Sequence, residues 1–194
     1  LAADVVMQMD MERTNFMQFE PVLVTLTMRN TAGQVLIFGT EPEFKGYMEI
    51  ELTDLTGRPL PGSGARFELK GLMLRPGVDQ RIRVNLSSRV NLAKPGIYRV
   101  KLALGHPMLK DEYESNVQQF NVSTGKIFWA RRFGVPKIGE TDSAGAPQLR
   151  DYTLRGLQDG ANLYYYFLVE DDDNIYAMKR IGMAMGREQP SCEL

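Results

Sequence analysis

The chain has 194 residues, 43% hydrophobic and 24% charged, with 18 glycines and 10 prolines, the composition of a globular protein and not of a disordered, collagenous or coiled-coil one. Its 23 basic and 24 acidic residues leave a formal net charge of -1, which excludes nucleic acid and anionic membranes as expected partners. A chain of this length buries roughly 70% of its unfolded surface, so no disulfide or metal is needed to hold a core.

Period-2 alternation dominates the first 122 residues. An opening strand is expected over 5–11. In residues 22–29, Val22, Val24, Leu26 and Met28 share one face while Thr25, Thr27 and Arg29 take the other. Asn30-Thr31-Ala32-Gly33 reads as a turn, followed by an apolar strand over 35–38. Residues 47–53 place Met48, Ile50 and Leu52 inward and end at Leu55-Thr56-Gly57-Arg58-Pro59. A short strand near Phe67, then 81–86, 97–104 and 117–122, complete about eight strands with turn residues between them. That spacing predicts an antiparallel β-sandwich. No twelve-residue window supports an amphipathic helix.

Three segments carry a family resemblance. Leu72-Met73-Leu74-Arg75-Pro76-Gly77 running into 80–86, Leu92-Ala93-Lys94-Pro95-Gly96 running into Ile97-Tyr98-Arg99-Val100, and Phe19-Glu20-Pro21-Val22 followed by Arg29-Asn30 resemble steps of bacterial immunoglobulin-like domains. The resemblance covers roughly residues 5 to 122 and implies an immunoglobulin-like sandwich in which Tyr98 caps an edge. It also implies extracytoplasmic interaction, and it supplies no activity.

Beyond Val122 the composition changes: residues 123 to 194 hold nine of the 18 aromatics, against nine in the preceding 122. Ser123-Thr124-Gly125 reads as a linker, residues 126–133 as a strand, and 134–147 as a Gly/Pro-rich loop. Another strand is expected over 152–154 before a turn at Gln158-Asp159-Gly160. Residues 163–169, 170–174 and 175–181 then read as strand, turn, strand. The expected organisation is therefore an immunoglobulin-like sandwich over 1–122 and a small β subdomain with a C-terminal hairpin over 123–194.

Each candidate for chemistry has a plainer reading. The acidic run Glu170-Asp171-Asp172-Asp173-Asn174 lacks the spacing and distal glutamate of a calcium loop, and Asp and Asn suit a hairpin tip for backbone reasons. His106, the single histidine, has no nucleophile elbow beside it. Asp111, Glu112 and Glu114 fit a solvated loop better than a glycosidase pair. Gly62-Ser63-Gly64 lacks the lysine and helix of a phosphate loop. Cys192, the single cysteine, lies in the expected tail. No catalytic residue, metal ligand or cofactor is expected.

The aromatic cluster is different. Leu163, Tyr165, Phe167 and Val169 face one way along a strand, and Tyr164, Tyr166 and Leu168 the other. A strand apolar on both faces is covered on both. The hairpin partner is expected to add Tyr176 and Met178 on one side and Ile175, Ala177 and Ile181 on the other. Trp129, Arg131, Arg132, Tyr164, Tyr166 and Tyr176 are therefore the candidate binding residues, since Tyr and Trp offer apolar rings with polar tips. A protein partner or self-association is the expected use, with a glycan as the second kind of ligand. The function expected is a non-enzymatic binding or scaffold protein. The alternative is a protease-inhibitor-like or carbohydrate-binding accessory domain that acts through the sandwich loops. The opening Leu1-Ala2-Ala3-Asp4 is compatible with the region around a signal-peptidase site, and no apolar run is long enough to span a bilayer. The expected location is periplasmic or secreted, without membrane insertion.

Overall fold

Alternation of apolar and polar side chains builds nearly every element of this molecule. The structure, a computed structural model, describes residues 4–135 and 148–184. The chain divides into two compact units, Leu1–Val122 and Ser123–Leu194. Residues 136–147 of the expected loop, the opening Leu1, Ala2 and Ala3, and Cys192 lie outside the described residues.

The first unit is all β. Its strands are β1 (Val5–Asp10), β2 (Asn15–Met17), β3 (Leu23–Asn30), β4 (Leu36–Ile37), β5 (Tyr47–Asp54), β6 (Ala65–Glu68), β7 (Met73–Leu74), β8 (Asp79–Asn85), β9 (Gly96–Gly105), β10 (Tyr113–Glu114) and β11 (Gln118–Ser123). One sheet runs β1-β3-β8 and a second runs β2-β11-β9-β5-β6, with β10 also paired to β9; β4 and β7 form a two-stranded ribbon. The ladders over β1-β3, β3-β8, β5-β9 and β9-β11 are antiparallel. Among the described residues the helical content is two single 3-10 turns, Pro42–Phe44 and Leu86–Ser88, and no helix is long and apolar enough to cross a membrane.

Both sheets contribute to one core. Met9, Leu26 and Met28 from the first meet Met48, Ile50, Leu52, Val100, Leu102, Leu104 and Phe120 from the second, all buried. The register explains the selection: β1 alternates buried and exposed at every residue, so its polar positions stay wet while the alternate ones fill the layer between the sheets. Burial of each such side chain contributes about 1.5–3 kcal/mol. At one end Phe16 meets Phe120 edge-on, ring centroids 5.9 Å apart, and Tyr98 lies 5.8 Å from Phe120 on another side.

A buried polar residue ties the ribbon to the first sheet. Asn30, at the end of β3, is fully buried. Its Nδ2 donates to the carbonyls of Gln34 and Leu74, both at 2.8 Å, and its Oδ1 accepts from the Ala32 amide at 2.9 Å. Its backbone carbonyl accepts from Gly77 at 2.8 Å, where a positive φ of 72° turns the chain after Pro76. Asn30 is therefore a clamp between the β3–β4 connection and the end of β7 with its following turn, and not only a turn residue. Asn30→Ala removes the side-chain partner of two carbonyls and of one amide, so urea denaturation is expected to register a loss of roughly 2–4 kcal/mol. A loss below about 0.5 kcal/mol, the range of surface substitutions, would contradict the clamp.

Candidate binding surface

The second unit is a four-stranded antiparallel meander of β12 (Lys126–Val135), β13 (Gln148–Asp159), β14 (Asn162–Glu170) and β15 (Ile175–Met183), in that order across the sheet. Local chemistry makes its turns. Between β13 and β14, Gly160 takes φ 57°, the left-handed region a tight hairpin needs. Between β14 and β15 the Asp171 carboxylate accepts the amides of Asp173 at 2.9 Å and Asn174 at 2.7 Å. The acidic run is thus a hairpin tip whose first aspartate is spent on its own backbone. Tyr176 donates its hydroxyl to the other Asp171 oxygen.

Cross-strand partners share a face, so the register sorts every side chain. On one face lie Ala130, Arg132, Asp151, Thr153, Arg155, Leu157, Tyr164, Tyr166, Leu168, Glu170 and Met178. This face carries the ion pairs. Arg155 donates to Glu170, each side chain only 14% exposed, and Thr153 also bonds Glu170 at 3.1 Å. Arg132 makes a two-pronged contact with Asp151 at 2.7 and 2.5 Å, which raises the guanidinium and lowers the carboxyl from their ordinary values. Leu157, Tyr166 and Leu168 are buried here.

The opposite face is aromatic. Trp129 pairs with Leu154, Arg131 with Tyr152, Phe133 with Arg150, Leu154 with Phe167, and Gly156 with Tyr165. A bulge between Ile127 and Trp129 adds Phe128 to the same face. Its ring covers Gly156, where an added Cβ would sit 2.3 Å from Phe128 Cε2, and it meets Tyr165 edge-on at 5.8 Å. Phe133 packs edge-on against Tyr152 at 5.3 Å, and Tyr152 lies 6.2 Å from Phe167. Trp129, Tyr152, Tyr165 and Phe167 are half-buried, and Phe133 is 43% exposed.

The six residues expected to form one site are divided between the two faces. Trp129 and Arg131 lie on the aromatic face. Tyr176, 41% exposed, joins them through the Arg150 guanidinium, 4.0 Å from its ring centroid. Arg132, Tyr164 and Tyr166 lie on the ion-pair face. Tyr166 is fully buried and offers no surface to a partner, a correction to the expectation. The bulges beside Tyr166 and Val169 also correct the assignment of β15: Met178 faces Leu168 with Ile175 on the ion-pair side, and Ala177 faces Val169 on the aromatic side. Phe167 belongs to the aromatic cluster named from the sequence, whereas Phe133, Tyr152 and Arg150 do not; the alternation within β12 and β13 is the signal that carries them.

The remaining candidates resolve into structural roles. His106 is buried; its Nδ1 accepts from the Met108 amide at 3.1 Å and its Nε2 meets the Ile37 carbonyl at 2.9 Å, so both nitrogens are engaged. Glu112 accepts from Tyr47 and from Arg66 at 3.0 Å, and Glu114 from Lys101 at 2.6 Å. Ser63 Oγ accepts from the Leu52 amide at 2.7 Å, within a turn where Gly62 and Gly64 have positive φ.

The tip bonds hold the Asp171 carboxyl at about 2, with the Tyr176 hydroxyl as the largest cause and the Asp173 amide next. A carboxyl lowered on folding contributes stability above its ordinary value of 3.8, and that contribution disappears as the pH falls through about 2. Tyr176→Phe is expected to raise the Asp171 titration midpoint toward 3.8, read by carboxyl-carbon NMR. An unmoved midpoint would show that the hydroxyl bond does not hold the tip.

Comparison with known proteins adds a distant structural likeness. No family model matches the chain, and no curated protein matches it. Among solved structures it is similar to Spo0M, a sporulation control protein from Bacillus subtilis, with 10% sequence identity and a TM-score of 0.39, covering 93% of this chain and 91% of that one.

Proposed function

We propose that this chain is a non-enzymatic binding and scaffold protein acting outside the cytoplasm, with the aromatic face of β12–β15 as its contact surface and a protein as its partner. The observation that carries the reading is the row Phe133, Tyr152 and Phe167 beside Trp129, large apolar rings left half-exposed on one side of a sheet. Partly exposed aromatics flanked by cations are the residue mixture that concentrates binding energy at protein interfaces. The first unit serves as scaffold, in an immunoglobulin-like arrangement. In support, Tyr98 is 6% exposed and donates its hydroxyl to the Lys94 carbonyl four residues upstream at 2.6 Å, the kind of corner found in such sandwiches. The non-enzymatic reading is supported by the engaged nitrogens of His106 and the cation-paired carboxylates of Glu112 and Glu114.

A second reading has its own observation. In the first unit a cleft of about 590 Å³ lies between the turn after β5 and the Pro-Gly turn before β9, lined by Leu55, Pro59, Leu60, Pro95, Ile97 and Tyr98. Its size falls in the range of small-ligand sites, which suits a sugar or peptide taken up by the sandwich loops.

Protein and glycan arrays probed with the intact chain separate the two. Phe133→Ser with Tyr176→Ser is expected to weaken protein binding by about tenfold or more, while the thermal transition persists and Ile97→Arg, in the cleft, has no effect. Binding lost in Ile97→Arg and retained in the double variant would transfer the function to the cleft.

A further inference from the structure

Charge is segregated across the C-terminal sheet. The described strand positions of the aromatic face include Lys126, Arg131, Arg150 and Lys179 and no aspartate or glutamate. Asp151 and Glu170 both fall on the other face, where Arg132 and Arg155 pair with them. Two of these cations lie against rings. Arg150 lies over Tyr176, and Lys126 lies 5.5 Å from the Phe128 ring centroid. The Arg150 Nε is buried without a hydrogen-bond partner, a donor that ordinarily finds an acceptor. Arg131 and Lys179 are exposed and have no ion-pair partner among the described residues. The strand positions of this face combine apolar rings with four cations, while the Asp171 carboxylate at its hairpin tip is engaged by the Tyr176 hydroxyl and two backbone amides; such a face complements a surface of opposite sign.

The ring geometry narrows the class of ligand. Sugars and nucleic-acid bases stack on ring faces, whereas Phe133 with Tyr152 and Phe128 with Tyr165 meet in edge-to-face pairs, so these neighbouring rings do not form one coplanar platform. The segment 123–194 carries 9 basic against 10 acidic residues, too few net charges for a partner as densely anionic as nucleic acid. We propose that the aromatic face takes an acidic protein segment whose apolar side chains pack between the rings and whose carboxylates meet Arg131, Arg150 and Lys179. This rests on the reading of that face as the contact surface.

The test selects phage-displayed random 12-residue peptides on the immobilised intact chain, then measures the recovered peptides in solution. The expected consensus combines Asp or Glu with large apolar residues. Its affinity is expected to fall about tenfold or more in Arg131→Gln/Arg150→Gln/Lys179→Gln and to weaken from low salt to about 0.5 M salt, where charges are screened beyond a few ångströms. The triple variant must keep the parent melting transition, and Arg58→Gln with Lys94→Gln in the first unit must leave binding intact. A consensus without acidic residues, sensitive to Phe133→Ser and not to the triple variant, overturns the acidic partner while leaving the face as the contact surface. Recovered peptides insensitive to both variants overturn the face itself. Tighter binding of oligo(dT) or a sulfated glycan than of the peptides, or a dimer in light scattering that the triple variant dissolves, replaces the acidic segment with another occupant.

Discussion

Strand β14 carries large apolar side chains on both of its faces, and the C-terminal unit is organised by where those two rows go. Tyr166 and Leu168 are fully buried on one side; Tyr165, Phe167 and Val169 remain half-buried on the other. A sheet cannot leave both rows wet without losing most of the burial that holds it together. The ion pairs follow the same division. Arg155 and Glu170 sit on the buried side, where a lone charge is costly and a paired, hydrogen-bonded one is tolerated. With the carboxylates drawn to that side, the other is left aromatic and cationic.

The first unit obeys a simpler rule. Strict alternation in β1, β3 and β5 sends every second side chain inward, and the two sheets close on the result. What alternation cannot specify is how the ribbon of β4 and β7 attaches, since strands of two residues carry no period. Asn30 performs that task with side-chain bonds to three separate backbone groups.

The same distinction explains what was legible in the sequence. Long strands with clean alternation were visible, and so were the Gly- and Asp-rich turns, because their residues answer to local backbone requirements. β2, β7 and β10 were not anticipated, being two or three residues long. β13 was expected over three residues and extends over twelve; its Arg150, Asp151, Thr153 and Arg155 look like loop residues until their cross-strand partners are known. The candidate surface was legible as a concentration of aromatics and not as a face. Bulges in β12 and β15 shift which side chains share a side, and a one-residue shift reverses every assignment beyond it. Trp129 and Arg131 part company with Arg132 by plain alternation along β12, and the cross-strand register, which the sequence does not show, places Tyr166 with Arg132.

The central claim is that the C-terminal sheet buries Tyr166 and Leu168 on one face and leaves aromatic rings accessible on the other, and hydroxyl-radical footprinting of the intact chain tests it most directly. The account predicts rapid oxidation at Phe133 and Tyr176 and protection at Tyr166. Equal reactivity of Tyr166 and Phe133, or protection of Phe133 and Tyr176 in the free chain, would contradict it.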